Sequence, residues 1–69
     1  MYFGDRVIYS QKHYAWLTRA GRWPSPHLER EERRGTITES VEWGLVIVHW
    51  DNETGTKTHF TDNLEVMNG

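Results

Sequence analysis

The sequence predicts one small, mostly β domain of about five short strands closing into a barrel, with a helical or irregular insertion after the first strand. Three features of the chain predict it. Residues 45–50 run Leu-Val-Ile-Val-His-Trp, four aliphatics and a tryptophan in a stretch too short for a buried helix and rich in β-formers. Turn clusters follow at short intervals, Asp51-Asn52-Glu53-Thr54-Gly55 and then Thr61-Asp62-Asn63-Leu64, the spacing of a small barrel or sandwich. The chain has 69 residues and no cysteine, so there is room for one core and no disulfide to hold it.

The elements follow in order. Gly4-Asp5 punctuates the start, and Arg6-Val7-Ile8-Tyr9 reads as the first strand. Ser10 is placed to cap a helix from Gln11 to Ala20, with Tyr14, Trp16, Leu17 and Ala20 as a loose apolar stripe. Gly21 stands where a helix-ending glycine belongs. Trp23-Pro24-Ser25-Pro26 breaks that helix. Ser25-Pro26 carries the cap-then-proline signature, so residues 26–34 read either as a short helix ending at Gly35, anchored by Leu28 alone, or as an irregular segment. Thr36-Ile37-Thr38-Glu39 is β-branched and alternating, Leu45 to Trp50 is the clearest strand, and Thr56 to Phe60 alternates and pairs back onto it. Thr61 to Leu64 is one tight turn before a last strand, Glu65-Val66-Met67. The expected core is Val7, Ile37, Leu45, Ile47, Leu64 and Val66. Residues 45–48 are apolar on both faces, so alternation alone does not set which of them point inward. If both faces are buried, the insertion or a partner chain covers the second.

So short a chain normally needs a staple. Four Trp, three Tyr and two Phe are a plausible substitute, because each buried aromatic removes roughly 150–250 Å² from water. Association with another copy is the other route. The charge is uneven. Residues 1–34 carry seven Lys and Arg against four carboxylates, residues 35–69 one against six, and the net is −2. Such a division marks either two partner surfaces or self-complementary packing. No apolar run approaches the roughly 18 residues of a membrane helix, and the N-terminus has no secretory apolar segment. A cytoplasmic location without a membrane partner is the expectation.

The four short stretches Gly4-Asp5-Arg6-Val7, Arg34-Gly35-Thr36-Ile37, Val46-Ile47-Val48-His49-Trp50-Asp51 and Leu64-Glu65-Val66 together resemble a small SH3-like barrel, closest to the mind-bomb type repeat and to KOW or Tudor-like barrels. The resemblance covers most of residues 4–9 and 34–67. It implies one SH3-like domain over residues 1–69, with residues 10–34 as an insertion in the first loop. The hairpin departs from the pattern, because its glycine comes late, at Gly55. What the resemblance implies is a binding module of the kind used in peptide binding, ubiquitin-pathway scaffolding, or nucleic-acid and ribosome contacts. A Tudor-type cage would require aromatics such as Trp43, Trp50 and Phe60 to converge from separate elements.

Chemistry-bearing patterns are few. His13, His27, His49 and His59 lack the spacing of a tetrahedral site, so no metal is expected. Ser10, Ser25 and Ser40 lie in cap or turn contexts, no Gly-rich phosphate loop occurs, and the carboxylates scatter over turns. An enzyme is therefore not expected, nor a cofactor. The insertion interleaves Lys12, His13, Tyr14, Trp16, Arg19, Arg22, Trp23, Arg30, Arg33 and Arg34. Arg and Trp are the residue types enriched at interface hot spots, which points to a protein partner held by Trp16, Arg19, Arg22 and Trp23. The alternative is nucleic acid held by Arg22, Arg30, Arg33 and Arg34, with aromatics stacking on bases. The plainest reading has Trp16, Leu17 and Trp23 capping the core while Arg30, Arg33 and Arg34 pair locally with Glu29, Glu31 and Glu32. Glu39, Glu42, Asp51, Glu53, Asp62 and Glu65 suit a negative face that imitates phosphate spacing. The expected function is a non-enzymatic interaction module, of a size and charge that fit a phage or mobile-element accessory or inhibitor protein.

Overall fold

A computed structural model describes residues 1–23 and 29–67. Strand β1 (Arg6–Tyr9) leads through Ser10 into helix α1 (Gln11–Arg19). A 3-10 turn at Arg30–Glu32 precedes β2 (Gly35–Val41), β3 (Leu45–Trp50) and β4 (Lys57–Phe60), and a second one at Thr61–Asn63 delivers the chain into β5 (Leu64–Val66). The strands form one antiparallel sheet in the order β4-β3-β2-β1-β5. The mostly β class, the five strands and the helical insertion after β1 are as expected. The expected closure does not occur through a strand ladder: β4 and β5 are the two edges of an open sheet.

Local signals set both ends of α1. The Ser10 hydroxyl accepts from the His13 amide at 3.2 Å, satisfying an N-terminal N–H that has no helical partner. At the other end Gly21 takes φ +68°, the Arg22 amide donates to the Leu17 carbonyl at 2.8 Å and the Gly21 amide to Thr18 at 3.2 Å. This paired closure needs a left-handed residue at Gly21. The expected helix over 26–34 is reduced to the single turn Arg30–Glu32, where the Glu29 amide donates to the Glu32 carboxylate at 3.1 Å. The Ser25-Pro26 cap, His27 and Leu28 lie outside the described residues.

The core is Val7 and Tyr9 from β1, Ile37 from β2, Val46, Val48 and Trp50 from β3, and Leu64 from β5, with Met1, Leu17 and Trp23 packed against it. Val7, Ile37 and Leu64 are where the sequence placed them. Leu45 and Ile47 are not: the even-numbered residues of β3 point inward, and Val66 is 40% exposed. The reason is Trp50, the largest fully buried side chain. It stands opposite Gly35 in the β2–β3 ladder, and only glycine leaves room for it. A Cβ on Gly35 would lie 2.6 Å from Val48 Cγ1 and 2.9 Å from Trp50 Cε3. With Trp50 inside, period-two alternation puts Val48 and Val46 inside as well. A register shift between Ile37 and Glu39 then transfers β2 from the inner face to the outer one, so Ile37 faces Val48 whereas Glu39 pairs with Ile47.

Gly35→Ala is therefore predicted to cost about 1–3 kcal/mol through overpacking against Val48 and Trp50. Urea unfolding measures it, and an unchanged midpoint would contradict this account of the β3 phase.

Candidate functional site

The arginines divide into two groups. Arg33 lies with its guanidinium carbon 5.2 Å from the Trp50 ring centre and 5.8 Å from that of Tyr9. Its Nη2 donates to Glu53 Oε1 at 2.7 Å, and Lys57 approaches the same carboxylate at 3.4 Å. Arg30 donates to the Tyr9 carbonyl and to Glu65 Oε2, both at 3.0 Å. Arg6 holds Asp51 through both guanidinium nitrogens and also donates to Thr36 Oγ1 at 2.7 Å. The hydrogen bonds from Arg33, Arg30 and Arg6 hold Glu53, Glu65 and Asp51 below the usual carboxylate range.

These contacts join the basic first half of the chain to the acidic second half, the self-complementary packing that the charge division allowed. Local pairing within 29–34 is limited to Arg30 with Glu31 at 3.4 Å and Arg34 Nε donating to the Glu31 carbonyl at 2.8 Å. Of the four arginines suited to nucleic acid, Arg30 and Arg33 are mostly buried in ion pairs, while Arg22 and Arg34 remain exposed. The six-carboxylate face is reduced in the same way. Asp51, Glu53 and Glu65 are paired, leaving Glu39, Glu42 and Asp62 without an ion pair among the described residues.

The second group surrounds α1, none of whose residues is fully buried. Its inner side touches the core: Leu17 packs there, the His13 ring lies 5.2 Å from that of Tyr9, and Tyr14 meets Trp23 edge-on at 4.8 Å. Trp23 in turn lies 5.9 Å from Tyr9. Capping by Leu17 and Trp23 is thus as the plainest reading had it. Trp16 is different. It is 47% exposed, stacked 5.9 Å from His13 at an interplanar angle of 12°, with the Arg22 guanidinium 5.8 Å from its ring centre. Lys12, Trp16 and Arg19 follow the i, i+4, i+7 spacing of one helix face. Trp16, Arg19 and Arg22 therefore belong to one exposed region, with Trp23 half-buried beneath.

A further exposed region was not singled out from the sequence. The β2–β3 hairpin turns through Glu42, Trp43 and Gly44, and Trp43 takes φ +70° with its side chain 88% exposed. A bulky residue rarely adopts that backbone conformation. Val41, Leu45 and Phe60 are register partners across β2, β3 and β4, so they lie on one face beside it. The available signal was a tryptophan inside a Glu-Trp-Gly turn, a position where polar residues are the rule. Trp50 is 1% exposed, so Trp43, Trp50 and Phe60 do not form a cage. His49 and His59 do not meet on one face either: His59 pairs with Val46 on the inner side, whereas His49 faces outward. Among the described residues no three His, Cys, Asp or Glu side chains cluster for a metal, and no pocket is formed. No helix among them is long and apolar enough to cross a membrane.

Fold and surface together define a small open-sheet β domain whose candidate site is exposed side chains on a capped helix. No protein-family model matches the chain, and comparison with curated proteins and with solved structures finds no match to either.

The Trp50 indole N–H donates to His59 Nε2 at 3.0 Å, which requires His59 to be neutral. Burial, reinforced by the neighbouring His13, holds the His59 pKa below its ordinary 6.5, and burial does the same to His13. Below that ordinary value the unfolded chain takes up protons that the folded chain does not, so stability falls as pH drops from 6.5 toward the depressed folded values. The paired carboxylates add a separate loss below their ordinary range. His59→Gln, which keeps an acceptor but does not titrate, is predicted to flatten the decline in melting temperature between about pH 7 and pH 5. A decline identical to that of the wild type would contradict the assignment.

Proposed function

We propose that this chain is a non-enzymatic interaction module that binds a protein partner through α1 and the surface beside it. Trp16, Arg19 and Arg22 make the contacts, and Trp23 supports them from below. The observation that carries this is Trp16, half exposed yet stacked with the His13 ring and approached by the Arg22 guanidinium. An aromatic already fixed in place loses little conformational freedom on binding, and Trp and Arg dominate the energetics of protein interfaces. The capped ends of α1 present the three residues in a constant arrangement. The resemblance to SH3-like barrels supports a binding role. The size and divided charge fit an accessory or inhibitor protein of a phage or mobile element, working in the cytoplasm. Nucleic-acid binding through Arg22, Arg30, Arg33 and Arg34 is the weaker reading, because Arg30 and Arg33 already neutralise Glu65 and Glu53.

Trp16→Ala is predicted to weaken capture of the partner from lysate by about ten-fold or more, while changing stability by less than about 1 kcal/mol. Trp23→Ala should instead cost about 2–4 kcal/mol of stability, because it leaves a gap against Tyr9 and Tyr14. Capture read by mass spectrometry with and without nuclease, alongside urea unfolding, tests both. A partner indifferent to Trp16→Ala contradicts the proposal, and so does loss of every partner on nuclease treatment.

A further inference from the structure

Ten charged residues make no ion pair among the described residues; Asp5, Glu29, Glu32 and Arg34 are four of them, and the other six form two sets, each beside an exposed tryptophan. Lys12, Arg19 and Arg22 make no ion pair among the described residues and surround the exposed Trp16 on α1. Glu39, Glu42 and Asp62 also make none, and they flank the exposed residues Val41, Trp43 and Phe60 at the hairpin tip. Glu42 adjoins Trp43 in the turn, Glu39 lies on the outer face of β2, and Asp62 follows Phe60 by two residues. The tip is held in place: the Thr61 amide donates to the Gly44 carbonyl at 2.8 Å, tying the hairpin to the turn that carries Asp62. One chain thus has a basic surface centred on an exposed tryptophan and an acidic surface centred on another, and none of its ion pairs joins the two.

We propose that the chain self-associates, the α1 surface of one copy docking on the β2–β3 hairpin tip of another. This rests on the reading of α1 as a binding surface and names a second copy of the chain as one occupant of it. Charge selects the geometry. Tip against tip would set Glu39, Glu42 and Asp62 against themselves, and helix against helix would set Lys12, Arg19 and Arg22 against themselves. Like charges facing one another across an interface oppose both arrangements. Only the unlike pairing matches carboxylates with cations, whether it is made once, head to tail, or twice about a two-fold axis. The two patches are small against a standard interface of roughly 1,600 Å², so association is weak and depends on concentration and salt.

Sedimentation equilibrium of the full chain over a concentration series tests this. At low salt the wild-type mass should rise above the 8.2 kDa monomer with concentration, and it should fall back toward that value when salt is raised to about 0.5 M. A tip variant, Trp43→Gly with Glu42→Gln, keeps the backbone conformation that glycine favours. A helix variant, Trp16→Ala with Arg19→Ala, substitutes good helix formers at exposed positions. Each variant alone should sediment as a monomer, because each lacks one surface. Mixed in equal amounts they should form a dimer, since the tip of one and the helix of the other are intact. A wild type that stays monomeric at low salt overturns the proposal, as does either variant associating alone or a mixture that remains monomeric. A monomeric wild type that still captures a protein through Trp16 would overturn self-association alone. A self-associating chain that captures nothing else would overturn the partner reading alone.

Discussion

Trp50 meets four different neighbours, and each contact secures another part of the chain. Its edge fits against Gly35, which sets the register between β2 and β3. Its indole N–H donates to His59, which fastens edge strand β4 to the core. The Tyr9 ring lies 4.6 Å away, which brings in β1. The Arg33 guanidinium lies against it and reaches Glu53, which holds the end of the insertion to the β3–β4 turn. A chain of 69 residues without cysteine has no covalent means of making these connections. An aromatic cluster covered by a cation does it here, combining large apolar burial with directional contacts.

The same cluster determines which charges are left for binding. Ion pairs between the two halves of the chain neutralise Asp51, Glu53 and Glu65, and in doing so they occupy Arg6 at the surface and withdraw Arg30 and Arg33 from it. What remains is not a basic insertion facing an acidic barrel. The smaller set that remains includes Lys12, Arg19 and Arg22 around Trp16 and Glu39, Glu42 and Asp62 beside Trp43 and Phe60. Arg33 and Trp16 belong to the same basic, aromatic stretch of sequence, yet one packs against the core rings of Tyr9 and Trp50 and the other is presented to solvent. Their positions relative to Trp50 separate them.

Features written in local sequence are legible without the fold. β1 and β3 were placed at their observed ends, because each is a short β-forming run bounded by turn or cap residues. α1 was legible for the same reason, since Ser10 and Gly21 act on backbone groups within a few residues of themselves. The inward phase of β3 was not legible. Residues 45–48 are apolar on both faces, and the deciding contact is with Gly35, on another strand. The register shift in β2, the unpaired edges of β4 and β5, and the pairing of Arg30 with Glu65 likewise depend on partners distant in sequence. At the candidate site, Trp16, Arg19, Arg22 and Trp23 are named from composition alone, as residue types that dominate interfaces. Which of Trp16 and Trp23 caps the core was not legible, nor was the exposure of Trp43, because helix packing in one case and an unusual backbone angle in the other decide them.

The division of charge between core and surface depends on Arg33 lying against Trp50 and Tyr9 and not on a binding face. A double-mutant cycle with Arg33→Met and Glu53→Gln, measured by urea unfolding, tests this most directly. If Arg33 ties the insertion to the β3–β4 turn across Trp50, the two substitutions couple by about 1–2 kcal/mol, well above the value for an exposed ion pair. Coupling near zero, with Arg33→Met as stable as the wild type, would place Arg33 on the surface and contradict the division of charge on which the binding surfaces depend.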